Sequence, residues 1–284
     1  MGTWERSWSI TKTSFSVLTL DKEMLLFPIL SGFFSLLFSA ALLVPTVLIH
    51  LFEAAGGSRL VMGPAQIAAL FGTYFGLAFI ATFFNVCLVY TTRIRLEGGD
   101  ATFMDSVRFA LSRVHLIAAW ALVSASVGII LHALESAAQR SGLIGKILLS
   151  ILRAVLSGAW AVMTVFVVPS MVYRDLGPID AVRDSFETLK RTWGESIIGY
   201  YGVGIASFVC TLPGILLIVG GAVLCGTSVA AGAGLIALGI LAIAAALLTF
   251  SVLSSIYRTA LYHFASTGTP PSGFERGQLM GAFR

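Results

Sequence analysis

The stretch that decides the fold of this chain is SIIGYYGVGIASFVCTLPGILLIVGGAVLCGTSVAAGAGLIALGILAIAAALLTFSVLSSIY, residues 196–257. Its sixty-two residues include no Asp, Glu, Lys, Arg or His, and charge returns at both ends with Glu195 and Arg258. As one continuous helix it would be about 93 Å long, roughly three times the hydrocarbon core of a bilayer. It is therefore expected to cross a membrane, turn, and cross back as a helical hairpin.

The composition of the whole chain indicates the same class of protein. Of its 284 residues, 57% are hydrophobic and 11% are charged, and the mean hydropathy is +0.92. Folded in water, such a chain would expose too much apolar surface. The net charge of +4 comes from scattered basic residues, without the aromatic-interleaved basic run of a nucleic-acid-binding protein. We predict an all-α integral membrane protein, one membrane domain over residues 1–284, with no nucleic-acid partner.

Hydropathy predicts about six transmembrane helices. They are residues 25–51, 66–90, 116–134, 151–173, 197–223 and 229–257. Fourteen of the eighteen Lys and Arg residues fall on the side that carries both termini, and four on the other. Because short cytoplasmic segments are enriched in basic residues, we expect both termini in the cytoplasm.

The charged segments that precede the hairpins have helical periodicity. In the third of them, apolar residues recur every three or four positions and charged residues fill the other face, which predicts an amphipathic helix. The apolar stripe is Ile179, Val182, Phe186, Leu189 and Trp193, and the charged face includes Arg183, Asp184, Glu187, Lys190 and Arg191. Similar stripes are Trp4, Trp8, Thr11, Phe15 and Leu18, and Phe103, Val107, Ala110 and Val114 with Asp100 as N-cap.

These segments are predicted to be linker helices on the cytoplasmic leaflet, where they would bind membrane lipids or a partner protein. The candidate surface residues are Trp4, Trp8, Phe15, Phe186, Trp193, Arg183 and Arg191. The partner could be another membrane protein or a second copy of this chain.

Because each linker helix precedes a hairpin, the chain could consist of three repeated units, residues 1–92, 93–174 and 175–284. Superposing Asp105-Ser106 on Asp184-Ser185, and Ser14-Phe15 on Ser185-Phe186, keeps the apolar stripes in phase. The identity between units is low. A true triplication and three unrelated interfacial linkers both remain open.

Few residues inside the predicted spans could carry chemistry. Asn85 is the best buried polar candidate, and a hydrogen bond between helices is a simpler role for it than a substrate contact. Pro213-Gly214 could break the fifth span as in transport sites, although a kink for packing is the simpler interpretation. Arg153 lies about one turn inside the fourth span and is expected to snorkel. With no close histidine pair and no Asp, Glu or Lys within the spans, we predict no catalytic set, no metal and no cofactor.

A family resemblance is carried by both ends of the chain. The residues are Trp4-Glu5-Arg6-Ser7-Trp8, Thr13-Ser14-Phe15, Leu20-Asp21-Lys22-Glu23 running into Leu25-Leu26-Phe27-Pro28, and the tail from Pro270 through Gly281-Ala282-Phe283-Arg284. Over its whole length the chain resembles a family of uncharacterised bacterial and archaeal polytopic membrane proteins, the domain of unknown function 6159. This resemblance implies a fold and a location in the plasma membrane of a prokaryote, and it implies no mechanism.

A looser resemblance concerns the third linker. Pro178-Ile179-Asp180-Ala181 followed by Asp184-Ser185 is similar to linker helices of membrane domains fused to some bacterial glycerophosphodiester phosphodiesterases. The catalytic barrel of those enzymes is absent from this sequence, so the resemblance does not imply an enzyme.

Two classes of function follow. The first is a non-enzymatic membrane bundle that binds lipid or a partner protein through its linker helices. The alternative is a facilitative transporter or channel for an apolar or uncharged small solute, indicated by the proline in the fifth span and the Gly/Ala-rich sixth. Transport should then be uncoupled from protons and sodium, because no carboxylate or lysine is predicted at the bilayer midplane.

Overall fold

A computed structural model of the chain describes residues 14–19, 21–55, 64–191 and 193–271, and these are helical apart from their turns. Trp4 and Trp8 lie outside the described residues. A helical stretch at residues 14–19 is followed by a 3-10 helix, Lys22–Leu25. The described α-helices are then α1 (Leu26–Ala55), α2 (Pro64–Leu96), α3 (Phe103–Ser112), α4 (Val114–Arg140), α5 (Leu143–Met163), α6 (Val167–Arg174), α7 (Pro178–Arg191), α8 (Trp193–Leu224) and α9 (Val229–Thr267).

Within the described residues, six helical stretches are long and apolar enough to cross a membrane. They are Lys22–Leu42, Ala68–Leu96, Val114–Arg140, Leu143–Arg174, Ala206–Leu224 and Val229–Thr267. Most residues of these stretches are not buried by the protein itself, as is required of helices that lipid surrounds. The predicted fold class, an all-α multi-pass membrane protein with six spans, is confirmed.

Prolines determine where several helices begin and where one span is interrupted. Pro64 and Pro178 are the first residues of α2 and α7, where the missing N–H loses no helical bond. Pro169 is the third residue of α6, and its ring would clash with the carbonyl of Val165 in a continuous helix. The fourth span is accordingly interrupted at residues 164–166, between α5 and α6. In contrast, α8 continues through Pro213, so the broken helix considered for the fifth span does not occur.

The helix of the fourth span also starts earlier than hydropathy and charge predict. α5 begins at Leu143, eight residues before the expected position 151, and a turn at Ser141 and Gly142 joins it directly to α4. The basic residues Lys146 and Arg153 both lie inside α5.

The chain divides into two compact units. The first comprises residues 1–28, 91–101 and 188–284, and the second residues 29–90 and 102–187. In the first, α8 and α9 approach each other closely at glycines. A Cβ added to Gly239 would lie 2.7 Å from the carbonyl oxygen of Gly214, and one added to Gly221 would lie 2.8 Å from that of Gly232. Since the two pairs are seven residues apart on each helix, they recur on the same faces and allow close backbone approach.

The second unit is held by larger side chains. The indole rings of Trp120 in α4 and Trp160 in α5 stack with centroids 5.6 Å apart. Ile117 and Phe166 are fully buried. Between α1 and α2, the ring of Phe38 occupies the space that a Cβ on Gly76 would fill.

Candidate interface at the linker helices

The start of α3 is fixed by a capping box. The Thr102 hydroxyl accepts the N–H of Asp105 at 3.2 Å, and an Asp105 carboxylate oxygen accepts the Thr102 hydroxyl at 2.6 Å and the Thr102 N–H at 3.2 Å. The hydroxyl bond, followed by the N–H bond, holds the pKa of the Asp105 carboxyl below its usual range. The N-cap is thus Thr102 and not Asp100, whose carboxylate instead accepts Arg95 Nη2 at 2.5 Å.

The two faces of α3 differ in exposure. Ser106 and Ala110 are fully buried, whereas Met104 and Leu111 are 52% and 55% exposed and Arg108 between them is exposed as well. Residues at i, i+4 and i+7 lie on one side of a helix. α3 therefore presents an outward face on which two large apolar side chains flank an arginine.

The predicted stripe of α3 is only partly internal. Ala110 is buried, Phe103 and Val107 are half-buried, and Val114 is 41% exposed. Sequence reasoning missed the outward face of Met104 and Leu111, although their spacing around Arg108 is a signal that could have revealed it.

Polar contacts anchor α7 to α6 and to the interruption of the fourth span. The Ser170 hydroxyl donates to Asp184 Oδ2 at 2.7 Å, and Arg174 Nη1 donates to Asp184 Oδ1 at 2.7 Å. The N–H of Phe166 donates to the Ser185 hydroxyl at 3.0 Å. This N–H belongs to the turn between α5 and α6, where the fourth span is interrupted. Asp184 and Ser185 thus tie the linker helix to the broken span.

The buried stripe of α7 is rotated relative to the hydrophobic pattern. Its fully buried members are Ala181, Ser185 and Leu189, each four residues from the next. Ala181 is buried because a small side chain allows close approach, and Ser185 is buried because it accepts the Phe166 N–H. A search for hydrophobic residues alone finds neither of them. Among the predicted stripe residues, Phe186 is half-buried and Ile179 is 77% exposed.

The remaining predicted surface residues are placed as follows. Arg183 and Arg191 are exposed on α7. Phe15 is 50% exposed in the helical stretch at residues 14–19, next to buried Ser14. The side chain of Trp193 lies outside the part of the chain whose side chains are described. Exposed apolar residues thus occur on each linker segment, and exposed arginines occur on α3 and α7.

Between α6 and α7, Asp175 has a left-handed backbone conformation, and its side chain forms an ion pair. Asp175 has φ of 53°, a conformation that Asp tolerates better than most residues, and it caps the C-terminus of α6. Its carboxylate accepts Arg113 Nη2 at 2.9 Å and also contacts Arg113 Nε. Since Arg113 directly precedes α4, this pair fixes the end of α6 against the start of α4.

A further ionic group lies in the first unit. Arg95 Nη2 lies 3.3 Å from Asp21 Oδ2, and the Asp21 side chain is 6% exposed. Asp21 precedes the 3-10 helix and Arg95 lies in the last turn of α2. The pair therefore links the residue just before the 3-10 helix to the last turn of α2.

The three serines superposed in the possible repeat have one property in common. Ser14, Ser106 and Ser185 are all fully buried. This supports the triplication, which stays a prediction.

The candidate residues inside the spans are separated between the two units. Asn85, in the second unit, is half-buried and has an interaction partner within the protein. Pro213 and Gly214 lie in the first unit, where Gly214 provides a close contact with Gly239. Among the described residues, no three His, Cys, Asp or Glu side chains are grouped so that they could hold a metal ion.

Comparison with known protein families identifies the family of this chain. It belongs to a family of unknown function, DUF6159, whose model matches residues 64–274. The match covers α2 to α9 and excludes residues 4–28, which carried much of the resemblance seen in the sequence. No curated protein matches the chain.

Proposed function

We propose that this member of the DUF6159 family is a non-enzymatic membrane protein whose linker helices bind lipid on the cytoplasmic leaflet. The observation that carries the proposal is the outward face of α3, where exposed Met104 and Leu111 flank Arg108 while Ser106 and Ala110 are buried beneath. Interfacial helices use this combination, since apolar side chains enter the headgroup region and basic ones reach the phosphates.

The anchoring of α7 supports the same role. Ile179 is 77% exposed and Arg183 is exposed, while Asp184 and Ser185 hold the helix against α6. A helix already fixed in place loses little conformational freedom on binding, which favours affinity. Each arginine near an anionic surface is expected to contribute about 1 kcal/mol. A partner protein is the other candidate for the same faces.

The lipid proposal is tested by the phospholipids that the protein retains. Native mass spectrometry of the purified protein should show phosphatidylglycerol retained in preference to phosphatidylcholine. In an Arg108→Gln/Arg183→Gln variant this preference should fall by about an order of magnitude, since two charges are removed. Arg153→Gln, which removes one positive charge at a residue paired with Glu135, is the matched control. Unchanged retention in the double variant would contradict the proposal and favour a partner protein.

The orientation belongs to the same proposal and is supported by fourteen basic residues on the side of the termini against four on the other. We place both termini in the cytoplasm, with the protein in the plasma membrane of a prokaryote. In a background without Cys87, Cys210 and Cys225, Ser141→Cys should react with an impermeant thiol reagent on intact cells and Thr269→Cys should not. The reverse labelling would invert the assignment.

One observation favours the alternative of a facilitative transporter. The fourth span is interrupted at residues 164–166, and interrupted spans line binding sites in several transporter folds. The proline in the fifth span no longer supports this alternative, because α8 is unbroken. Under the lipid proposal, vesicles containing the protein pass an uncharged solute such as glycerol no faster than empty vesicles. A reproducible excess flux would favour the transporter.

A further inference from the structure

Two ion pairs of the second unit lie at opposite ends of α4. Arg113, just before the helix, pairs with Asp175, and Glu135 near its end pairs with Arg153 of α5, with 3.1 Å between Glu135 Oε2 and Arg153 Nε. Twenty-two residues separate Arg113 from Glu135. That is about 33 Å of helix, close to the roughly 30 Å of a hydrocarbon core. The two pairs therefore mark the two boundaries of the core along α4, and Arg153 is neutralised rather than snorkelling alone.

The hairpin continues past the second boundary. We call residues 136–152, which include the end of α4 and the start of α5, the hairpin tip. Leu143 is ten residues from Arg153, so along the helix it lies about 15 Å further out. A headgroup layer is only about 5–7 Å thick. The tip therefore extends through the whole headgroup layer on the side opposite the linker helices.

The hairpin tip has an exposed apolar surface. In the described chain α5 has no buried residue, and its first turns carry large apolar side chains that are 51% to 77% exposed. These are Leu143, Ile144, Ile147, Leu148 and Ile151. Beyond the Glu135–Arg153 pair the hydrocarbon no longer covers them, so they must meet another surface.

The charge of the hairpin tip indicates which surface this is. Arg140 and Lys146 are both exposed, and within the described residues neither makes an ion pair. No Asp or Glu occurs between residues 136 and 173. Two uncompensated positive charges beside an apolar ridge repel a second copy of the same tip and attract anionic groups. We propose that the hairpin tip binds anionic phospholipid headgroups of the leaflet opposite the linker helices.

This contact uses different residues from those of the linker helices, so the two can fail independently. A bilayer contact at each end of α4 would fix the helix along the membrane normal. The second unit would then respond to the lipid composition of both leaflets.

A label on the tip tests the proposal. Ser150→Cys, an exposed position one turn outside Arg153, is coupled to a fluorophore in full-length protein without the three native cysteines and reconstituted into phosphatidylcholine vesicles with or without phosphatidylglycerol. Quenching by a neutral aqueous quencher should fall at least two-fold when phosphatidylglycerol is present. The effect should disappear in Arg140→Glu/Lys146→Glu and in 1 M salt, where the Debye length is about 3 Å.

Matched variants make the outcomes distinct. Lys146→Arg keeps the charge and should keep the protection, and Arg108→Gln/Arg183→Gln should leave it unchanged because the linker helices lie at the other end of α4. Equal quenching with and without phosphatidylglycerol would overturn the proposal. Protection that follows the protein density in the vesicle rather than its lipid charge would also overturn it, and would assign the tip to contact between copies.

Discussion

The α8–α9 and α4–α5 hairpins have the same topology and are held together in different ways. In α8–α9, two glycine pairs bring the backbones together, and the sequence has no charge from Ser196 to Tyr257. In α4–α5, stacked tryptophans fill the space between the helices, and an ion pair joins them near the turn. Small residues are thus sufficient where a hairpin stays in lipid. Charges are expected where a hairpin leaves the lipid, as we propose for α4–α5, because water and headgroups can solvate them there.

The largest effect should come from separating α8 and α9. In Gly239→Val, the new Cβ would lie 2.7 Å from the Gly214 carbonyl oxygen and the same distance from Ile218 Cγ1. Backbone cannot yield as a flexible side chain does, so we expect a loss of about 3 kcal/mol in the free energy of unfolding, measured in mixed micelles titrated with sodium dodecyl sulfate.

Gly234→Val on the same helix is the control for that substitution. A Cβ at Gly234 meets nothing within 4 Å, so the change should stay within about 0.5 kcal/mol. Equal losses in the two variants would show that the glycine pairs do not hold the hairpin.

The next effect concerns the interrupted span that follows α5. Ser185→Ala removes the hydroxyl that accepts the buried Phe166 N–H and should cost about 1.5 kcal/mol, because a buried hydrogen bond is lost. Backbone hydrogen exchange should accelerate at residues 164–166 and not in α9. The exposed Ser150→Ala is the control and should change neither quantity. If Ser185→Ala were as stable as the wild type and its exchange were unchanged, the bond from α7 would not stabilise the interruption of the fourth span.

A smaller effect is expected from the ion pair that distinguishes the α4–α5 hairpin. A double-mutant cycle of Glu135→Ala and Arg153→Ala should give a coupling of about 0.5–1 kcal/mol, since both side chains are more than a third exposed in the isolated chain. The coupling should weaken in high salt. Zero coupling would mean that the pair does not mark a stable boundary.

The sequence predicted what depends on hydropathy over many residues. The sixth span was expected to begin at Val229, where α9 does begin, and the charge-free stretch forms a hairpin. The helix of the fourth span begins at Leu143 rather than near residue 151, because its first turns carry the exposed charge of Lys146, which hydropathy counts against a span. The carboxylate that neutralises Arg153 belongs to α4, and the sequence does not show which residues face each other across a turn.

Predictions for the linker helices failed where small and polar residues decide the packing. Ser185 and Ala181 belong to the buried face of α7 because one bonds the break in the fourth span and both allow close approach. A hydrophobic stripe instead selected Ile179, which is exposed. The same reason explains why Pro169 and not Pro213 interrupts its span. At the break before Pro169 the Phe166 N–H bonds to Ser185 of α7, whereas α8 runs unbroken through Pro213.

The smallest effect is a pH dependence of hydrogen exchange that is expected at the start of α3 and not in the charge-free hairpin. Hydrogen bonds from Thr102 lower the pKa of Asp105 in the folded protein relative to the unfolded chain, so the carboxylate stabilises the fold at pH values above its unfolded pKa of about 4. That contribution is lost as the pH falls through the lower folded pKa. Asp105→Asn should therefore increase hydrogen exchange in the first turn of α3 at pH 7, and the difference from wild type should shrink as the pH falls below 4. Exchange in α9 between Val229 and Tyr257, which contains no titratable carboxylate, should be the same in both proteins at each pH. A difference in α3 that is constant with pH would show that the capping box acts through shape and not through the charge of Asp105.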